Sequence, residues 1–85
     1  PGIGEFGVME SDPLLIQTEQ KLKKQADQLI ILADSTKLNK RSNFILCPLS
    51  DVDILITDSE ADPKTVRFFE DQNIKVILVD VSQTE

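Results

Sequence analysis

Histidine, tryptophan and tyrosine are absent from the 85 residues, and glycine does not recur after Gly7. The lack of histidine removes the commonest general base and zinc ligand, so histidine catalysis and histidine-based metal sites are excluded. Without glycine beyond position 7 there is nothing to build a Gly-rich phosphate cradle, which rules out dinucleotide-fingerprint and P-loop readings. A single cysteine, Cys47, cannot close an internal disulfide, in keeping with a reducing compartment. Its neighbours Leu46 and Pro48 are apolar, so it reads as a small buried side chain rather than a nucleophile. Long apolar runs are missing too: Leu29–Ala33 is far short of the roughly 20 residues of a membrane helix, and no secretory signal is present.

What remains is 40% hydrophobic, with four phenylalanines as its only aromatics. That composition suits one compact domain near the size where an isolated core is marginal. The net charge of -6 is unevenly placed, with six acids against six bases in residues 1–42 and nine against three in 43–85. Phosphate neutralisation needs several clustered cations, and no basic stripe runs beyond Lys37, Lys40 and Arg41, so DNA binding by this chain alone is not expected. Pro1 to Gly7, holding all three glycines, reads as a cloning remnant or a truncated loop, which leaves residues 8–85 as the folded unit.

Two Asp-Pro pairs, Asp12-Pro13 and Asp62-Pro63, place a capping carboxylate before proline at the first helical position. Helices are therefore expected from there to about Asp27 and to about Asn73, the first with Leu14, Leu15, Thr18, Leu22, Gln25 and Ala26 on its buried face. Leu29–Ala33, Phe44–Cys47, Val52–Thr57 and Ile74–Val79 read as strands, and Val52–Val79 as a βαβ unit. The predicted fold class is α/β, a partial parallel sheet of three to four strands with two flanking helices. Strands apolar on both faces need helices on both faces, so the expected sheet is incomplete.

The polar loop Ala33–Ser42 follows the most apolar strand and leaves its carboxyl end, where open α/β sheets hold ligands. Asp34, Ser35 and Lys37 suit a small polyhydroxylated anion: lysine as a point charge for phosphate, aspartate accepting from a hydroxyl or positioning the lysine. A turn cap and a surface ion pair would use Asp34 and Lys37 equally well. Lys40 and Arg41 read as solvated charges, with Arg41 a second candidate for holding the anion. Thr57 and Asp58 end the third strand and face the same crevice or cap a turn. Asp51 and Asp53 lie at the opposite end of that strand from Asp58, so the three do not form one metal site.

In this order, Leu32-Ala33-Asp34-Ser35-Thr36-Lys37-Leu38, Cys47-Pro48-Leu49-Ser50-Asp51-Val52-Asp53, Leu55-Ile56-Thr57-Asp58 and the Asn73–Val79 strand resemble the carboxyl-terminal half of the sensor domain of DeoR-family bacterial transcriptional regulators. Asn39 stands where that family often has Gly, and Thr36 where it has a second Ser. The resemblance implies half of the fold shared by ribose-5-phosphate isomerase, glucosamine-6-phosphate deaminase and CoA transferases. It also implies a non-enzymatic, cytoplasmic repressor that senses a phosphorylated sugar or related metabolite without a cofactor. Its effector site would include Asp34, Ser35, Lys37, Arg41, Thr57 and Asp58, with homo-oligomerisation and DNA contact supplied by the intact protein. Other readings are part of a sugar-phosphate isomerase or deaminase, for which a positioned base is required, and a structural oligomerisation module.

Overall fold

The computed structural model describes residues 1–42 and 44–80, so Asn43 and residues 81–85 of the expected 8–85 unit lie outside the described residues. In chain order the elements are β1 (Gly2–Gly4), β2 (Gly7–Glu10), α1 (Pro13–Gln25), β3 (Ile30–Leu32), β4 (Phe44–Cys47), β5 (Ile54–Asp58), α2 (Pro63–Asp71) and β6 (Lys75–Val79). They form two three-stranded sheets, one of order β1-β2-β4 and one of order β3-β5-β6. No described helix is long and apolar enough to cross a membrane.

The parallel sheet follows the expected pattern. Ile30, Ile31 and Leu32 stand opposite Ile54, Leu55 and Ile56, and β5 pairs in parallel with β6 from Ile54↔Lys75 to Asp58↔Val79. α2 makes the crossover between β5 and β6. Asp62 opens α2 by accepting from the Lys64 amide at 2.9 Å. Asn73, at φ 64°, closes it: its amide donates to Glu70 O at 3.0 Å and the Ile74 amide to Phe69 O at 3.2 Å. That is the paired bonding of a Schellman motif, with asparagine taking the left-handed position usually given to glycine.

Three expectations need correction. Phe44–Cys47 is a strand, but it pairs antiparallel with β2 rather than joining the parallel sheet. Residues 1–7, expected as a remnant or loop, instead form β1 and its hairpin turn, with Ile3 only 1% exposed. Gly7 is required there: its φ is 105°, and a Cβ would stand 2.5 Å from Cys47 O. Gly2 is equally constrained, because a Cβ would lie 1.7 Å from Lys40 O, where the Ala33–Ser42 loop crosses β1.

The third correction concerns α1, which ends at Gln25 with the Ala26 amide bonded to Lys23 O. Its buried face is not the leucine stripe. Ile16 is the buried residue of the helix, while Leu14 and Leu22 are 71% and 65% exposed. Gln20 Nε2 donates to Leu46 O at 3.2 Å, and Lys23 pairs with Asp51. These positions, three to four apart, define the face that meets the first sheet.

One core joins the layers. Ile3, Val8, Ile16, Leu46, Cys47, Leu49, Val52, Leu55, Phe69 and Ile74 form it, with Ile31 and Val76 packed against it. Alternation along the strands puts Ile31, Leu55 and Val76 on the covered face and Ile30, Leu32, Ile54, Ile56, Ile77 and Val79 on the other. That second face is aliphatic yet largely uncovered, as Leu32 at 79% exposed shows most clearly.

Candidate functional site

The carboxyl end of β3 delivers Asp34 into a single 3-10 turn, Ser35–Lys37. Asp34 is the turn's cap: its Oδ1 accepts from the Thr36 amide at 2.9 Å and from the Thr36 hydroxyl. These two bonds hold the Asp34 carboxyl below the usual carboxylate range, with Lys37 adding a smaller attraction. The turn is pinned from the neighbouring strand. Asp58, last residue of β5, accepts from the Ser35 amide at 2.7 Å through Oδ2 and from the Glu60 amide at 3.0 Å through Oδ1. The Ser35 amide is the main reason the Asp58 carboxyl also lies below its ordinary value. Both carboxylates are thus engaged with backbone amides, and their work here is to fix the loop in place.

A second clamp mirrors this one. Asp53, just before β5, accepts from the Leu29 amide at 2.8 Å, so both ends of β3 are tied to β5 by aspartates on the β5 segment. Asp51 is taken by Lys23. The three carboxylates therefore serve three separate partners, and no described group of three His, Cys, Asp or Glu is placed to hold a metal.

Beyond Lys37 the loop is strapped to the rest of the fold. Asn39 adopts φ 61°, its amide donates to Ile3 O at 2.6 Å, and its side-chain amide donates to Thr65 Oγ1 at 3.3 Å in the first turn of α2. A left-handed residue explains why Asn39 fits where a glycine is frequent, since asparagine is among the few side chains that tolerate this conformation. The Arg41 guanidinium lies 4.6 Å above the Phe6 ring, a cation–π contact that holds it against the β1–β2 turn.

The six expected site residues therefore divide. Asp34, Ser35, Lys37 and Asp58 converge at the carboxyl ends of β3 and β5, Arg41 is engaged with Phe6, and Thr57 is buried at 3% exposure. Asn39 and Asp53 were the organising residues missed as such. Their signals were an asparagine in a glycine position and an aspartate directly before an apolar strand.

Among the described residues, Thr57 Oγ1 has no hydrogen-bond partner. An unpartnered buried hydroxyl costs roughly 1–3 kcal/mol. Thr57→Val is accordingly expected to raise the unfolding free energy of the chain by about 1 kcal/mol, read by urea titration. A loss of stability would instead mean that the hydroxyl has a partner in solution.

Asp34 and Lys37 also line a groove of about 530 Å³ whose other walls are mostly aliphatic. The Cys47 thiol is buried and pushed up, chiefly by that burial. It is not an activated nucleophile.

Comparison with known proteins places this geometry. The sequence is 30% identical over 78 residues to the HTH-type transcriptional regulator UlaR of Shigella dysenteriae serotype 1 (strain Sd197), covering 92% of this chain and 31% of that protein. It is 35% identical over 77 residues to the uncharacterized HTH-type transcriptional regulator YulB of Bacillus subtilis (strain 168), covering 91% and 30%. UlaR of Escherichia coli (strain K12 / DH10B) is 28% identical over 78 residues, covering 92% and 31%. The chain thus spans about a third of the length of the curated relatives it matches. No solved structure matches. The sequence model of the DeoR C terminal sensor domain matches residues 1–59, which include β3, the Asp34–Asn39 loop and β5. With that match running through the pinned loop and both of its clamps, the chain belongs to the DeoR C-terminal sensor domain family.

Proposed function

We propose that this chain is the carboxyl-terminal part of the effector-sensing domain of a DNA-binding transcriptional repressor, and that the effector is a phosphorylated sugar or a related anionic metabolite. The observation that carries the reading is the Ser35–Lys37 turn, fixed by Asp58 at the carboxyl edge of the parallel sheet with Lys37 at its end. A lysine held in place on a loop of hydroxyls supplies a point charge for a phosphate and short-range partners for sugar oxygens.

In this reading Lys37 and the Ser35 hydroxyl contact the effector, while Asp34 and Asp58 position them. Arg41 and Thr57 complete the loop and the strand end behind it. The chain does no chemistry and contributes one side of the site. DNA contact belongs to the rest of a cytoplasmic, homo-oligomeric regulator, and effector binding shifts the population between sensor arrangements. The relatives' description as HTH-type regulators supports this reading.

Thermal unfolding tests it. A ligand that binds only the folded state raises stability by RT ln(1 + [L]/Kd), about 2.7 kcal/mol at one hundred times Kd. Across a panel of pentose and hexose phosphates with their unphosphorylated parents, at least one phosphate is expected to raise the midpoint by several degrees where its parent sugar does not. Equal shifts for phosphate and parent throughout the panel would remove the anion from the reading.

A further inference from the structure

Lys37 is carried between two pins. Two residues before it, the Ser35 amide is held by Asp58 at the end of β5. Two residues after it, the Asn39 amide donates to Ile3 O at 2.6 Å, and Leu38 forms an isolated parallel bridge with Ile3. One pin belongs to the parallel sheet and the other to the first sheet, so the Ser35–Asn39 span crosses from one to the other with Lys37 at its middle. The lysine charge stands on a flexible four-carbon stem, and its aim depends on how firmly the backbone beneath it is fixed.

Asn39 does more than supply a left-handed turn. At φ 61° a glycine would serve the backbone at less steric cost. What asparagine adds is a side-chain amide, and both of its ends are lodged. Nδ2 donates to Thr65 Oγ1 at 3.3 Å, while Oδ1 lies so close to β1 that a Cβ on Gly4 would meet it at 3.0 Å. Thr65 stands one turn before Phe69 on the same side of α2, and Phe69 is fully buried in the core. The Asn39 amide therefore bridges β1 and a helix that the core holds in place.

We propose that Asn39 is a positioning residue of the effector site: through Thr65 it fastens the loop carrying Lys37 to α2, and so sets how tightly a phosphate group is held. The inference rests on the reading of Lys37 as the contact for an anionic effector. Asn39 itself touches no effector in this role. It fixes the loop before the ligand arrives, which lowers the ordering cost that binding must otherwise bear. Because the two side chains act as one strap, removing either has the same effect and removing both adds nothing.

Calorimetric titration of an intact regulator containing this segment, with the pentose and hexose phosphates and their parent sugars, tests it. Thr65→Val and Asn39→Gly are each expected to weaken the best phosphate about fivefold, within the range for one neutral hydrogen bond, and the double variant no further. Thr65→Ser keeps the hydroxyl and is expected to bind like the unaltered protein. Affinity for the parent sugar is expected to be the same in all of them. The inference is overturned if either single variant binds the phosphate as tightly as the unaltered protein, or if the two losses add in the double variant. It is overturned as well if phosphate and parent weaken alike, because the strap is then a general support of the fold. An unaltered protein that binds no phosphate of the panel overturns the effector reading itself.

Discussion

Phe69→Ala is expected to lower the unfolding free energy by about 3–5 kcal/mol, the range for truncating a buried aromatic. Phe69 is 0% exposed, meets Phe68 edge to face at 5.4 Å between ring centroids, and shares the core with Leu55 and Ile74. It is also the residue whose carbonyl accepts the Ile74 amide that turns the chain from α2 into β6. Domains of this size hold only about 5–15 kcal/mol in total. With a shift of roughly 4–8 °C per kcal/mol, the midpoint should fall by at least about 12 °C. Leu32→Ala is the informative control. Leu32 is a large aliphatic of β3 but 79% exposed, so its truncation in this chain should cost no more than about 0.5 kcal/mol. Urea titrations of the two variants measure both. Comparable losses would mean that the two faces of the parallel sheet are equally covered, contrary to the arrangement described here.

Lys37→Ala should weaken binding of the phosphorylated effector by at least about tenfold, since hydrogen bonds to charged groups contribute roughly 1.5–3 kcal/mol. Lys37 closes the turn that Asp34 opens, its amide bonded to Asp34 O at 3.0 Å. Removing its side chain leaves the Ser35–Asp58 bond and the Thr36–Asp34 cap in place. The loss should therefore appear in affinity and not in stability. Calorimetric titration with the best phosphate from the thermal panel and with its parent sugar separates charge recognition from packing: the phosphate weakens and the parent does not. If Lys37→Ala binds the phosphate as tightly as the unaltered chain, the anion is held by another group.

Local signals carried the helices and the parallel strands. Asp-Pro pairs announced both helix starts, and the aliphatic runs named β3, β5 and β6, because caps and strand composition act over a few residues. The first sheet was not legible. Its residues looked like loop because Gly2, Gly4 and Gly7 suggested flexibility, whereas Gly2 and Gly7 answer to the close approach of Lys40 and Cys47. Those contacts lie some 40 residues away in the chain, beyond the reach of local pattern. The same holds for Phe44–Cys47, whose strand character was local but whose partner β2 was not. For α1, the leucine spacing favoured the wrong face because Ile16 is the residue that is buried, and Gln20 and Lys23 on its side of the helix meet distant partners, Leu46 and Asp51.

At the candidate site, the types and places of Asp34, Ser35, Lys37 and Asp58 were legible, while the division of labour among them was not. Sequence allowed Asp34 to touch an effector or to cap a turn, and in the structure its Oδ1 caps the turn. It placed Thr57 and Asp58 together, yet alternation along β5 buries one and leaves the other at the Ser35 amide. Side chains one residue apart on a strand point to opposite faces, so a shared strand end was never enough to give them a shared role.

The most direct test of the account is a two-dimensional amide NMR titration of this chain with the phosphorylated sugars. Saturable shifts confined to residues 34–41 and 57–59, abolished in Lys37→Ala, are the expected result. Well-dispersed spectra in which those amides do not move, with shifts elsewhere or none, would contradict it.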